Sequence, residues 1–259
     1  MTQDLTWSEA LTGTSFDYAE APVPVRADLA AGHARAWDRL ANAGTWWTGE
    51  QRLAIAAEAR HAVKCRLCRE RLTALSPYTV EGEHDSLGGL AAPLVELIHR
   101  LRTDPGRLTR RWYDGIIAAG IRPEHYVETV GVVVTSVAVD TFARGIAAPP
   151  WPLPPVKPGH PTQLRPAATQ GTAYVPWLEP EAAGPAEADL YPPGRAPSHI
   201  YKAMSLVPAE VRGFFADLVN TQYLPAAAMR DFEREFRAIS HAQIEFLAAR
   251  VSALNRCEY

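Results

Sequence analysis

The stretch 122–149, "RPEHYVETVGVVVTSVAVDTFARGIAAP", decides the fold class of this 259-residue chain. Pro123 and Glu124 are typical of a helix start, because proline fits the first helical position and an acidic side chain favours the positive end of the helix dipole. The middle of the stretch is apolar on all sides of a helix, which is the pattern of a buried helix. We therefore predict that residues 123–147 form the longest helix of an all-α domain.

The segments on both sides of this helix also show helical patterns rather than the alternation of a half-buried strand. Thr48 is a good N-cap, and Asp104-Pro105 can start another helix because proline fits the first turn. Apolar spacing and capping signals predict further helices at about 24–43, 48–63, 90–101, 106–119, 208–223 and 240–254. The predicted fold class is all-α.

Proline divides the chain into three parts. Of the 22 prolines, 14 lie between Pro149 and Pro197, and such a stretch is a poor candidate for a helix or a regular sheet. Its aromatic residues, such as Trp151 and Trp177, are too apolar for a freely solvated linker, so we expect it to lie along a domain surface. The predicted organisation is a helical domain at 1–149, a proline-rich connector at 150–197 and a second helical part at 198–259.

Composition argues against several classes of protein. The net charge of −3 is unlike that of a general nucleic-acid binder, which would carry a basic surplus. No apolar run reaches the roughly 18 residues of a membrane span, and the start "MTQDLTWSEALTG" lacks the basic region of a signal peptide. Three cysteines do not make a disulfide framework. We expect a cytoplasmic protein with reduced thiols and no cofactor, which binds neither nucleic acid nor a membrane.

The strongest chemical signal is the pair Cys65 and Cys68 in "RHAVKCRLCRERL" (60–72). Two cysteines three positions apart at a helix start can form a disulfide, and the positive helix end favours the thiolate of the first one. Two alternatives stay open. The thiols can simply pack in the core, or they can bind zinc with His61 and His84, since cysteine and histidine are good zinc ligands.

Two residues that precede the cysteine pair in the sequence, Glu58 and His61, are candidates for transferring the thiol proton. Glu58 and His61 precede Cys65 by seven and four positions, so both can lie on the helix face that leads to the first thiol. A carboxylate and an imidazole beside a thiol can take up and return its proton. The alternative is a solvated helix face, which is the more common place for charged and polar side chains.

The end of the sequence resembles a known redox motif. In "AQIEFLAARVSALNRCEY" (242–259), Glu245 stands twelve positions before Cys257, as in the motif of the alkylhydroperoxidase D and carboxymuconolactone decarboxylase-like family. Other residues in register with that motif are Arg250, Val251, Ser252, Leu254, Asn255 and Tyr259. Residues 48–149 resemble one all-α repeat of the family, and the segment from Ile200 onward resembles the opening helices of a second repeat.

The resemblance implies a thiol-dependent peroxidase. In that family one cysteine of a pair attacks a peroxide, the other closes a disulfide, and a glutamate and a histidine move protons. Carried over, Glu245 is the relay carboxylate and Cys257 is the first cysteine of its pair. The resemblance further implies hydrogen peroxide or organic hydroperoxides as the substrate, a protein dithiol as the reductant, and a homo-oligomer as the assembly.

The sequence departs from the family pattern in both halves. The second cysteine of the closing motif would follow Tyr259. In the first half Cys65 and Cys68 are both present, and we expect them to be the usable pair, although Leu53 and Leu72 stand at the positions of the relay glutamate and histidine. Two alternatives to a peroxidase stay open: a non-catalytic interaction protein, and a lyase of the lactone-decarboxylase type that does not need the thiols.

Overall fold

The computed structural model describes residues 18–191, 197–225, 228–229 and 231–255, and over these residues the all-α prediction is confirmed. The helices of the first region are α1 (Ala27–Ala41), α2 (Gly49–His61), α3 (Arg66–Thr73), α4 (Ala92–Thr103), α5 (Arg110–Ala118) and α6 (Pro123–Gly145). The second region contains α7 (His199–Met204), α8 (Pro208–Glu210), a π-helical segment (Val211–Val219), α9 (Asn220–Gln222) and α10 (His241–Leu254).

The helix α6 lies at the centre of the first region, as its apolar pattern predicts. It packs against α1, α2 and α4, and its valines at 132, 133 and 139 are buried in the main core. Among the described residues, α6 is the one helix that is long and apolar enough to cross a membrane, and 56% of its most apolar window is buried inside the protein. That burial is typical of a helix in the core of a protein.

Two helix starts show how local side chains set the boundaries. Thr48 caps α2 as predicted, in a reciprocal capping box with Gln51. The helix α5 was predicted, but its predicted start was wrong: Asp104 begins a short 3₁₀ turn (Pro105–Arg107), and the helix starts after Thr109, whose hydroxyl accepts a hydrogen bond from the backbone N–H of Trp112. The side chain of Asp104 is instead engaged by Arg107, so it is not available to cap a helix.

The proline-rich connector lies along the first region. The Trp37 indole N–H donates a 2.8 Å hydrogen bond to the Pro152 carbonyl oxygen, and Val175 is buried in the main core. The connector also holds a two-residue antiparallel pair, β1 (Thr169–Gln170) and β2 (Pro176–Trp177), which we did not predict. A strand of two residues is too short for the alternation of polar and apolar positions to be visible in a sequence.

A buried ion cluster joins the two helical regions. Arg52 of α2 donates to Glu128 of α6 at 2.6 Å and to Glu210 of α8 at 2.7 Å, and these side chains are at most 2% exposed. The Trp46 N–H donates a further 2.6 Å hydrogen bond to Glu128. A methyl group at Gly131 would overlap the carboxylate of Glu210, so the close approach of α8 to α6 requires glycine there.

Candidate functional site

The two cysteines occupy the start of α3. After α2 a 3₁₀ turn (Ala62–Lys64) redirects the chain, Cys65 is the N-cap residue of α3, and Cys68 lies in its first turn. The prediction that the pair begins a helix is therefore confirmed. Both thiols are free and buried, with Cys65 0% and Cys68 3% exposed.

Two histidines from outside the helix point at these sulfur atoms. His84 lies in the loop between α3 and α4, and its Nδ1 is 3.5 Å from both Cys65 Sγ and Cys68 Sγ. His99 is a buried residue of α4, and its Nδ1 is 3.2 Å from Cys68 Sγ. The two sulfurs and two nitrogens all lie within 4.8 Å of one another. We refer to these four side chains as the Cys–His centre.

A carboxylate accepts a hydrogen bond from the Nε2 of each histidine, on the side of the ring away from the sulfurs. Glu58 lies 2.8 Å from His99 Nε2, and Glu96 lies 2.7 Å from His84 Nε2. A carboxylate accepts hydrogen bonds, so each Nε2 carries the proton that makes its bond. In a neutral imidazole the other nitrogen, Nδ1, is then a lone-pair acceptor directed at the sulfurs.

The two carboxylates differ in their other partners. Glu96 also accepts hydrogen bonds from Arg71 at 2.8 Å and from the Trp112 indole at 3.0 Å, so its charge is matched by a guanidinium. Glu58 is 1% exposed and its further partners are the Leu87 N–H at 3.1 Å and the Ser86 hydroxyl at 3.3 Å. Within the described part of the chain, no arginine or lysine pairs with Glu58.

The loop between α3 and α4 closes over the thiols. Asp85 accepts a 2.7 Å hydrogen bond from the Arg66 N–H, the first backbone amide of α3. The bonds of Ser86 and Leu87 to Glu58 fix the next part of the same loop to α2. The loop therefore covers Cys65 and is held at three adjacent positions.

The environment shifts several pKa values at the centre. Burial would raise the pKa of the Cys65 thiol, but hydrogen bonds from the Cys68 backbone and from His84 outweigh burial and lower it. Burial likewise opposes the charge on His84, but its bonds to Cys68 and Glu96 raise its pKa to about 10. For His99, burial dominates and lowers the pKa despite the bond to Glu58. Thus His99 is the neutral histidine of the two.

The structure brings some of the predicted residues together and leaves others apart. Glu58 joins Cys65 and Cys68, although it acts through His99 rather than by touching a thiol. His61 ends α2 and is not one of the four donors that converge, so the zinc combination of His61 with His84 is not the one the fold assembles.

The residues predicted from the closing motif have a different setting. Glu245 is exposed on α10, where it accepts hydrogen bonds from Tyr223 at 2.8 Å and from His241 at 3.3 Å. Neither partner belongs to the Cys–His centre. Cys257 lies outside the described residues.

Sequence reasoning missed His99 and Glu96. His99 sits beside the apolar stripe of α4, where Leu97 and Ile98 are fully buried, and a histidine there looks like a core residue. Its contact with Cys68 joins positions 31 apart, which no local pattern reveals. The available signal was the spacing of His99 and Glu96, three apart on one helix, because such residues share a face.

Comparisons of the chain with known proteins found no match. No family model matches the chain, and neither the curated proteins nor the solved structures give a match.

Proposed function

We propose that this protein is a thiol-dependent peroxidase that reduces hydrogen peroxide through Cys65 and Cys68. The observation that carries the proposal is a hydrogen-bonded chain from Glu58 through His99 to the Cys68 thiol, with spacings of 2.8 and 3.2 Å. This is the order carboxylate, imidazole, nucleophile, in which the carboxylate fixes the tautomer and supports the imidazolium that forms.

The first step uses His99 as the base. Its Nδ1 takes the proton of the Cys68 thiol, and the thiolate attacks one oxygen of the peroxide. The S–O bond forms as the O–O bond breaks, so the sulfur is oxidised to a sulfenic acid and the peroxide is reduced. The departing hydroxide receives the proton from His99 and leaves as water.

The second step closes the disulfide. Cys65, three positions before Cys68, loses its thiol proton and its sulfur attacks the sulfur of the sulfenic acid. The S–S bond forms as the S–O bond breaks, and the departing hydroxide takes up that proton and leaves as a second water. A protein dithiol then reduces the disulfide by thiol–disulfide exchange and returns both cysteines to the reduced state. No cofactor is required for this sequence of steps.

The burial of the thiols favours the smaller of the two substrate classes. Both sulfurs lie beneath the loop between α3 and α4, and Cys65 is 0% exposed. A bulky organic hydroperoxide needs the loop to leave its bonds to Arg66 and Glu58, whereas hydrogen peroxide is close to water in size. We therefore place hydrogen peroxide first among the substrates.

The wider setting is part of the same proposal. Reduced thiols fit a cytoplasmic location. The resemblance to the alkylhydroperoxidase D-like family supports a homo-oligomer, and so does the apolar side of α10, where Phe246, Val251 and Leu254 are each more than half exposed. Light scattering on the full chain tests the oligomer, independently of the thiol chemistry.

The test of the activity follows peroxide consumption with dithiothreitol as the dithiol. The wild-type protein is expected to turn over and, without reductant, to form a Cys65–Cys68 disulfide seen by mass spectrometry. C65S should stop after one equivalent, with a dimedone-reactive sulfenic acid on Cys68, and C68S should form none. Failure of the wild-type protein both to consume peroxide and to form the disulfide would remove the proposal.

The same variants separate the alternatives. If Cys65 and Cys68 alkylate no faster than free cysteine in a folded protein, the chain is a non-catalytic interaction protein. If a reaction on a lactone-type substrate survives in the C65S/C68S double variant, the protein is a lyase that does not use its thiols. Bulky organic hydroperoxides are tested in the same assay. Equal rates for small and bulky peroxides would contradict the proposal that the loop between α3 and α4 restricts access to the thiols.

A further inference from the structure

We propose that the reduced Cys–His centre is a binding site for one Zn²⁺ ion, with Cys65 Sγ, Cys68 Sγ, His84 Nδ1 and His99 Nδ1 as its ligands. This site goes beyond the proposed peroxidase and does not depend on it. The four donors come from three parts of the fold: the start of α3, the loop that follows it, and α4.

Three sulfur–nitrogen distances in the centre match those of a tetrahedral zinc site. Zinc binds cysteine sulfur at about 2.3 Å and histidine nitrogen at about 2.0–2.1 Å, which places a sulfur and a nitrogen ligand roughly 3.5 Å apart. The observed S–N separations are 3.5 Å for His84 with each cysteine and 3.2 Å for His99 with Cys68. Two sulfur and two nitrogen donors in a tetrahedral arrangement select zinc among the common ions.

Both histidines have the support that metal-bound histidines require. A ligating imidazole usually donates its other N–H to a carboxylate, which fixes the tautomer and the ring orientation. Glu58 does this for His99 and Glu96 does it for His84, at 2.8 and 2.7 Å. Glu96 is in turn held by Arg71 at 2.8 Å. Groups outside the ligand set thus direct both Nδ1 atoms inward, and the Nδ1 of His84 becomes a lone-pair donor when the metal displaces its proton.

Charge balance points to a bound cation. In the metal-bound form His84 has lost its second proton, and two thiolates, Zn²⁺ and two neutral imidazoles form a neutral unit. The carboxylate of Glu58 is buried and, among the described residues, its one titratable partner is His99. A buried carboxylate with no cation in contact is costly, and a metal ion bound to His99 Nδ1 places positive charge on the far side of that ring.

The number and burial of the ligands define the kind of site. Four protein ligands leave no open position for water, which is typical of structural rather than catalytic zinc. Zinc and peroxide reduction also need the same sulfur lone pairs, so the metal-bound form is protected and the metal-free form is reactive. Oxidation to the Cys65–Cys68 disulfide removes two ligands and should release the ion.

The first experiment measures metal binding without any peroxide. The full chain is reduced, stripped with a chelator and titrated with Co²⁺ as a spectroscopic substitute, then with Zn²⁺. The expected result is one ion per chain, with intense d–d bands of tetrahedral Co²⁺ and a thiolate-to-cobalt charge-transfer band that Zn²⁺ abolishes. The disulfide form of the same protein should bind neither ion.

Matched variants assign the ligands. H99Q and H84Q should lose the tetrahedral spectrum, whereas H61Q, which changes a histidine close in sequence but outside the centre, should keep it. E58Q keeps all four ligands and should weaken Zn²⁺ binding about 10–100-fold through its effect on His99. Circular dichroism of each metal-free variant shows whether it is folded. The thiolate-to-cobalt charge-transfer band of H99Q separately shows whether the two cysteines still bind Co²⁺.

Several outcomes would overturn the zinc proposal. These are the absence of tetrahedral Co²⁺ bands in the folded, reduced protein, a stoichiometry far from one, or a loss in H61Q equal to that in H99Q. The peroxidase is assayed separately on chelator-treated protein. Zinc binding without peroxide turnover would therefore count against the peroxidase alone, and peroxide turnover without metal binding would count against the zinc site alone.

Discussion

Two buried polar centres of this protein differ in how their charge is balanced. In the cluster that joins the helical regions, Arg52 lies between Glu128 and Glu210, and Arg39 adds a favourable interaction with Glu210. Positive and negative side chains come there from the protein itself. The Cys–His centre places two thiols and two imidazoles together, with a carboxylate next to each imidazole. Arg71 pairs with one of these carboxylates, Glu96, whereas no arginine or lysine of the described residues pairs with the other, Glu58. The first arrangement is typical of structure, and the second is typical of a reactive or metal-binding site.

Removing the cation of the first cluster should have the largest effect on stability. Arg52→Met leaves two buried carboxylates without their guanidinium, and breaking such a pair typically costs about 3–5 kcal/mol of unfolding free energy. Arg35→Met is the matched control, since Arg35 pairs with Asp217 at an exposed position, where a salt bridge contributes at most about 1 kcal/mol. Urea unfolding of both variants makes the measurement. Similar losses in the two variants would show that burial does not distinguish these pairs.

A third buried polar group, His33, lies outside both centres and shows how burial changes the pKa of a histidine. Burial lowers its pKa from 6.5 to about 4, against a weaker raising effect of a bond to Gln222, and its Nδ1 is 2.7 Å from the Tyr18 hydroxyl. As pH falls, the unfolded chain binds this proton first. The contribution of neutral His33 to the unfolding free energy is therefore fully present above pH 6.5. About 3 kcal/mol of unfolding free energy is lost as the pH falls from 6.5 towards 4.

Unfolding free energies measured between pH 7 and 4 test this expectation. His33→Gln removes the titrating group and should flatten that part of the pH profile, even if the variant is less stable at pH 7. A profile of unchanged slope in the variant would assign the acid sensitivity to other groups.

Replacing His99, the proposed general base, should lower the rate of peroxide reduction. His99→Gln removes the Nδ1 acceptor that faces Cys68, and general-base catalysis is commonly worth about 10²-fold or more. The second-order rate constant for hydrogen peroxide with metal-free protein is the quantity to measure. His241→Gln is the control, because His241 is also buried but contacts Glu245 on α10. Equal effects of the two substitutions would contradict the relay.

The two candidate carboxylates give the finest comparison. Glu58→Gln should slow the peroxide reaction about 10-fold, because a neutral amide supports the His99 imidazolium less well. Glu245→Gln changes an exposed side chain whose partners are Tyr223 and His241, and its effect should stay within about twofold, as for most surface substitutions. A larger effect at Glu245 would move the chemistry to the end that the family resemblance marks.

The sequence predicts well what local patterns control. The position of α6 follows from its apolar residues, and the place of Cys65 and Cys68 at a helix start follows from their spacing and flanking charges. The first two inferences need only the period and the start signals of a helix. Glu58 belongs to the centre as predicted, but it does so through His99 and not along a shared helix face, because α2 ends at His61 and a 3₁₀ turn precedes Cys65.

The missed features depend on tertiary contacts. His99 was missed because it reaches the thiols only through the packing of α4 on the turn after α2, which leaves no periodic signal. His84 was a candidate zinc ligand from the sequence, but the fold of its loop over the thiols could not be predicted. The pairing of β1 with β2 and the link from Arg52 to Glu210, 158 positions away, have the same origin. The resemblance drew attention to Glu245, whereas the carboxylate beside the thiols belongs to a different helix.

The bonds that close the loop over the thiols also make its opening measurable. The Arg66 N–H is bonded to Asp85 and the Leu87 N–H to Glu58, so both amides can exchange with solvent deuterium only when the loop separates from the helices. Their exchange rates then report the frequency of that opening. A bulky alkylating agent cannot modify Cys65 faster than the loop opens, so the two rates, measured on one sample, set the kinetic limit for entry of any large substrate.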